Sequence, residues 1–233
     1  WWVDMPVFSG SPLQNYHIGF DYLLAVVHKI TSIPTHILYF QIIPPVLAIL
    51  IGSLTYKFVF LWRKSKIESL WAVFFVYFGG SWGWMVNLFR NGDFSGESMF
   101  WAQQSISTLV NPPFALSLVF LLSGLILLTK YLYTQKVKYL IFSGLIFAIA
   151  VEVKVYGGLL GLGGLFVVGI WGIIKEKKIK IFLFSLTSLI IGFVAFAKLT
   201  KTSGNLIVYQ PFWFLETMMG ISDRVGWQKY FNA

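Results

Sequence analysis

The stretch H-I-L-Y-F-Q-I-I-P-P-V-L-A-I-L-I-G-S-L-T-Y-K-F-V-F-L, at residues 36–61, decides the fold class of this chain. It contains one lysine and no carboxylate, and it exceeds the about 20 apolar residues that a membrane-spanning helix needs. The basic sequence W-R-K-S-K-I follows directly at residues 62–67. An apolar segment that ends in a short basic loop is typical of a transmembrane helix whose end faces the cytoplasm. We therefore expect an all-α, polytopic transmembrane helix bundle.

Further apolar segments follow along the chain, and with the first they predict about six spans. Hydrophobic residues make up 57% of the 233 residues and charged residues only 12%, against about 25% charged residues in soluble domains. This composition excludes a water-soluble domain and a disordered chain. No alternating pattern persists long enough for a transmembrane β-barrel. The predicted spans after the first are residues 68–89, 113–129, 139–153, 155–174 and 181–197.

The net charge of +9 is concentrated in short loops. Ten of the 18 basic residues fall in three runs, each between two apolar segments. The positive-inside rule places such loops in the cytoplasm. Residues 90–112, the turn near 152–156, the chain before residue 36 and everything after 198 then lie outside. Since the basic residues form no face with interleaved aromatic side chains, we expect no nucleic-acid partner. The three runs are Arg63/Lys64/Lys66, Lys130/Lys136/Lys138 and Lys175/Lys177/Lys178/Lys180.

Residues 18–33 form an apolar segment of a different kind. Asp21, His28 and Lys29 interrupt it, and charges deep in a bilayer cost about 2.5–3.5 kcal/mol each. We expect an amphipathic juxtamembrane helix on the outer leaflet, with a short seventh span as the alternative. The expected organisation is an outer loop and juxtamembrane helix (1–35), a transmembrane bundle with the outer loop 90–112 (36–200), and an outer interfacial segment (201–233).

Local sequences predict where helices begin, bend and pack. The adjacent prolines at 44 and 45 predict a kink in the first span, and Gly79 with the glycine after it interrupts the second. Asn111, followed by two prolines, is typical of a helix start. Gly157 and Gly161 form a small-xxx-small pair that favours close helix packing.

The first group of candidate site residues lies in the outer segment before the first span. His17 and Asp21 are four residues apart and therefore share one helical face. The carboxylate of Asp21 is placed to orient the imidazole, as happens at many working sites. The alternative is the wet face of an interfacial helix.

The second group lies in the loop 90–112, the longest between predicted spans. Arg90 offers a guanidinium for phosphate, and Asn111 offers an amide for hydroxyl groups. Asp93 and Glu97 offer carboxylates for hydroxyls or a divalent cation; we expect no resident metal or other cofactor. The alternative is a solvated loop with an aromatic belt.

Glu152 and Lys154 lie between two predicted spans. We expect them at a turn, where they pair or extend to the interface. The alternative is a position in the middle of the membrane, which would indicate the ion path of a transporter. The absence of cysteine excludes disulfides, thiol nucleophiles and cysteine-based metal sites.

The amino-terminal part resembles the GT-C class of membrane glycosyltransferases, which includes bacterial aminoarabinose transferases and protein O-mannosyltransferases. The likeness rests on W-V-D-M-P-V-F-S-G at residues 2–10, followed by Pro12-Leu13, Tyr16-His17 and Asp21-Tyr22-Leu23. It also rests on the predicted helix 18–33, which Ser32-Ile33-Pro34 closes. It is best over residues 1–66 and looser over 78–113. Beyond residue 130 it rests on topology.

The resemblance implies transfer of a sugar from a polyprenyl-phosphate donor to an acceptor at the outer face of a membrane. It also implies a multi-pass protein of the bacterial inner membrane. It implies lipid-linked sugar and membrane lipids as partners, and a catalytic carboxylate upstream of Trp1. The chain begins without methionine, so we expect a fragment that is inactive alone. The alternatives from other classes are a transporter or lipid flippase, and a scaffold subunit without chemistry.

Overall fold

The structure, a computed structural model, describes residues 18–79, 108–176 and 179–199, together with residues 85, 88, 89 and 92. All regular secondary structure in these ranges is helical. The predicted all-α class is thereby confirmed for the described part of the chain.

The helices follow one another with short connections, and most boundaries lie within a few residues of the predicted ones. Short connections make successive helices run antiparallel. The helices are α1 (Gly19–Thr31), α2 (Thr35–Arg63), α3 (Lys66–Phe78), α4 (Pro112–Thr134), α5 (Val137–Val153), α6 (Val155–Glu176) and α7 (Lys180–Leu199).

Three of the described helices are long and apolar enough to cross a membrane: α2, α4 and Val155–Lys175 of α6, with mean hydropathies of 2.1, 2.0 and 2.0. Their outward faces carry large apolar side chains. Ile49 and Leu160, for example, are each 67% exposed. Apolar faces of this extent favour lipid over water as their surroundings. The chain is therefore a membrane-embedded helical protein, and the count of six spans stays a prediction.

The juxtamembrane segment forms α1, which has 13 residues. This length is below the about 20 residues that a span needs, which favours the predicted non-spanning helix over a seventh span. The helix ends at Ser32, which adopts the left-handed conformation (φ 58°) and donates its backbone N–H to the carbonyl of His28.

A π-helical turn lies immediately before Pro44 and Pro45, where the sequence predicts a kink. Residues Leu38–Ile42 are π-helical, and the N–H of Ile43 donates to the carbonyl of Leu38. The regular helix Ile43–Arg63 begins immediately before the two prolines. Because proline has no N–H, the two carbonyls one α-turn earlier lose their usual donors, which explains why the regular pattern changes here.

The predicted interruption of the second span is confirmed at Gly79. Ser65 is the N-cap of helix α3, and its hydroxyl accepts a hydrogen bond from the N–H of Glu68. It stops after 13 residues, where Gly79 has extended backbone (φ −67°, ψ 139°). Helix α3 (Lys66–Phe78) is therefore shorter than the predicted span at residues 68–89.

Glycine contacts hold α4, α5 and α6 together. Phe147 of α5 is completely buried, and its ring lies against Gly124 of α4 and Gly161 of α6. Gly157 lies against the side chain of Ser117, where an added Cβ would come 2.5 Å from the hydroxyl oxygen. The predicted close packing at the Gly157/Gly161 pair is thereby confirmed.

The bundle has two distinct ends. At the first, which we call the lysine end, the described residues of 62–67, 130–138 and 175–180 join helices. Lys64 and Tyr133 connect the first two of these loops: the ammonium lies 5.4 Å from the ring centroid. The Tyr133 hydroxyl also donates to the carbonyl of Trp62 at 3.4 Å. The opposite end, which we call the α1 end, contains α1, Asn111 and the α5–α6 turn at Lys154.

Candidate functional site

Helix α1 is attached to the α1 end through its first turn. Phe20 is 1% exposed, and it belongs to the same buried cluster as Ala115 of α4 and Val153 of α5. Its ring meets the ring of Tyr39 edge to face, with centroids 5.6 Å apart and planes at 87°. The rest of α1 carries exposed apolar side chains, including Ile30 at 77%, which suits a helix lying against lipid.

The contact between Gly19 and Glu152 sets the position of α1 on the bundle. A Cβ added at Gly19 would lie 2.7 Å from the carbonyl oxygen of Glu152 and 3.2 Å from its Cβ. Backbone atoms cannot retreat as a flexible side chain can. Glycine is therefore required for α1 to start at this place.

Glu152 has a carboxylate that is buried without a hydrogen-bond partner. Both carboxylate oxygens are inaccessible and have no hydrogen-bond partner among the described residues, and the residue is the second to last of α5. A buried carboxylate without a partner is costly in an apolar environment. Ionisable groups that persist in membrane bundles in spite of this cost are candidates for function.

Glu152 and Lys154, which we expect to pair or to extend to the interface, form no ion pair with each other. Lys154 caps α5 and lies at the turn between α5 and α6, which confirms the predicted position. Its ammonium lies 5.2 Å from the ring centroid of Tyr156. The ion pair found among the described residues joins Arg63 to Glu68, at 2.6 Å and at the lysine end.

Asp21 lies in the first turn of α1, where its side chain is exposed. It shares the α1 end with Glu152, because Gly19 of the same turn lies against residue 152. His28, on the last turn of α1, has a local partner: its Nδ1 lies 2.6 Å from the carbonyl of Ile33. His17, the predicted partner of Asp21, lies outside the described residues.

Asn111 is the N-cap of α4. Its side-chain oxygen accepts a hydrogen bond from the N–H of Phe114 at 3.3 Å, and prolines occupy the next two positions. The predicted helix start is confirmed. The substrate-binding role predicted for Asn111 competes with this structural one.

Replacing Asn111 by alanine is expected to lower the free energy of unfolding by about 1 kcal/mol, because the cap acceptor is lost. Asn111→Asp keeps an acceptor oxygen and serves as the matched control, with stability close to that of the unchanged protein. Thermal unfolding of the detergent-solubilised protein measures both. Equal stability of all three proteins would show that the cap contributes nothing.

The remaining predicted site residues, Arg90, Asp93 and Glu97, lie outside the described residues. Within the described ranges, no group of three or more His, Asp or Glu side chains is placed to hold a metal ion. The described part of the candidate site is thus the α1 end with Asp21, Asn111 and Glu152.

Two features of this site escape sequence reasoning. Tyr39 lies in the π-helical turn of α2 and packs on Phe20, and nothing in an apolar stretch marks that contact. Glu152 stands out in the sequence as a carboxylate in an otherwise apolar segment. Its isolation from Lys154, however, is visible only in three dimensions.

Comparisons of this chain with protein-family models, with curated proteins and with solved structures find no match.

Proposed function

We propose that this chain belongs to a membrane glycosyltransferase that moves a sugar from a polyprenyl-phosphate donor to an acceptor, and that the α1 end is its substrate face. The proposal joins the resemblance of residues 1–66 to the chemistry of the α1 end. It places the reaction at the outer face of a membrane.

The observation that carries the proposal is the buried, unpartnered carboxylate of Glu152 beside the attachment point of α1. A carboxylate accepts hydrogen bonds only. A sugar supplies hydroxyl donors in quantity. A sugar hydroxyl that reaches Glu152 would supply the hydrogen bond that the described residues leave unmade.

In the proposed reaction, the acceptor hydroxyl forms a bond to the anomeric carbon of the donor sugar. The bond from that carbon to the phosphate oxygen breaks, and polyprenyl phosphate leaves. The acceptor proton passes to a carboxylate base, which the resemblance implies for enzymes of this class. Glu152 is the positioning residue in this scheme, since it binds a hydroxyl and accepts no proton.

The test compares Glu152→Gln with the unchanged full-length protein in membrane vesicles supplied with polyprenyl-phosphate sugars. We expect transfer to fall about tenfold or more, as for loss of a charge-assisted hydrogen bond of about 1.5–3 kcal/mol. The melting temperature should be unchanged or higher, because a neutral amide replaces a buried, unpartnered carboxylate. Glu68→Gln is the matched control, since it makes the same change at the lysine end; its transfer rate should stay unchanged.

Equal transfer by the Glu152→Gln and Glu68→Gln proteins would remove Glu152 from the substrate face. A transporter is the second candidate, because an unpartnered carboxylate in a helical bundle also suits an ion path. Proton- or cation-coupled uptake that disappears in Glu152→Gln, without transfer in either protein, would favour the transporter. The position of Glu152 one residue from the end of α5 favours the transferase.

A further inference from the structure

We propose that the lysine end binds anionic phospholipids, with the phosphate headgroup on the lysines and the acyl chains on the apolar helix faces beside them. This inference concerns the end of the bundle opposite the proposed substrate face. It does not depend on the proposed glycosyltransferase activity.

The first argument is the charge that collects at this end. Eight described basic residues lie there together with two carboxylate residues, Glu68 and Glu176, so basic charge is in excess. Glu68 is already paired with Arg63 at 2.6 Å. Among the side chains that the structure describes, no ion pair is found for the other seven: Lys64, Lys66, Lys130, Lys136, Lys138, Lys175 and Lys180. A ligand with negative charge would neutralise them.

The second argument is that aromatic rings hold several of these lysines. The ammonium groups of Lys130 and Lys138 lie 5.7 and 5.4 Å from the ring centroid of Tyr139. The ammonium of Lys175 lies 5.5 Å from the ring centroid of Trp171. A cation–π contact attracts the charge without using the N–H donors as an ion pair would. The ammonium N–H groups can therefore still donate hydrogen bonds to the phosphate oxygens of lipid headgroups, which lie at the same depth as interfacial aromatic side chains.

The third argument is the apolar surface that adjoins the lysines. Trp62 is 60% exposed, Ile67 70%, Val137 51% and Ile174 67%. A soluble phosphate would leave these side chains uncovered. A phospholipid covers them with its acyl chains while its phosphate reaches the lysines, so it satisfies both parts of the surface.

The test measures the melting temperature of the detergent-solubilised full-length protein with added phosphatidylglycerol or phosphatidylcholine. We expect phosphatidylglycerol to raise it by about 3 °C or more, and phosphatidylcholine by much less. The soluble headgroup analogue glycerol 3-phosphate should give no shift. An equal shift with phosphatidylcholine, or the full shift with glycerol 3-phosphate, would overturn the proposal.

Matched charge variants locate the effect. Lys130→Gln combined with Lys138→Gln should lose about half or more of the phosphatidylglycerol shift. Lys29→Gln combined with Lys154→Gln removes the same charge elsewhere in the chain and should keep the whole shift. Equal losses in the two double variants would contradict a site at the lysine end.

A second double variant keeps the proposal testable if the Lys130/Lys138 double variant does not fold. Lys136 and Lys180 are both exposed, and Lys136→Gln combined with Lys180→Gln leaves the Tyr139 contacts in place. This pair should also reduce the phosphatidylglycerol shift. A full shift in this folded variant would overturn the proposal.

Discussion

Replacing Phe147 by alanine is expected to lower the free energy of unfolding by about 3–5 kcal/mol. Phe147 is completely buried at the centre of the α4–α5–α6 packing. Its ring fills the space beside Gly124 and Gly161, which have no side chains of their own to close a cavity. Loss of the ring therefore leaves a void that the neighbouring backbones cannot fill. Thermal or denaturant unfolding in detergent micelles provides the measurement.

Phe142→Ala is the matched control, because Phe142 lies on the same helix but is 56% exposed. It removes the same atoms from a lipid-facing position, so we expect a much smaller change. If the two variants lose the same free energy of unfolding, the ring of Phe147 is not the centre of this packing.

Valine at Gly19 is expected to detach α1 from the bundle. Its Cβ would collide with the backbone of Glu152, at 2.7 Å from the carbonyl oxygen. Detachment exposes Phe20, whose burial is worth about 1.5–3 kcal/mol. Amide exchange in Gly19–Thr31 should then accelerate about tenfold to a hundredfold. Hydrogen exchange read by mass spectrometry measures this directly.

Gly163→Val is the matched control for this change. A Cβ at Gly163 meets nothing within 4 Å, so the exchange of α1 amides should stay as in the unchanged protein. Faster exchange in both variants would indicate a general loss of stability. Unchanged exchange in Gly19→Val would mean that α1 is held by other contacts.

The helices themselves could be predicted from sequence because their causes are local. Apolar length, caps and prolines act over a few residues, so the starts at Asn111 and Ser65 carry their own side-chain caps. The small-residue pair Gly157/Gly161 marked a packing face in the same way. These signals do not require knowledge of which helix is the neighbour.

The candidate site was harder to predict because its properties depend on contacts between distant segments. Glu152 lacks a partner among the described residues because the ammonium of Lys154 lies over the ring of Tyr156, and because Gly19 of the distant helix α1 packs against the backbone of Glu152. Asn111 was predicted both to cap a helix and to bind substrate, and the structure shows its amide oxygen capping α4. Charge and polarity identify such residues, but only the folded chain shows which of them already have partners.

The π-helical turn at Leu38–Ile42 has a consequence for motion. Such a turn holds an additional residue, and each residue of an α-helix accounts for about 100° of rotation. A shift of this turn to ordinary α-helical bonding would rotate the chain before it, including Tyr39, relative to the helix Ile43–Arg63. The two prolines that follow donate no backbone hydrogen bond, so fewer such bonds must break during the shift. Because Tyr39 of this turn packs on the ring of Phe20, such a rotation would act directly on the contact between α2 and α1.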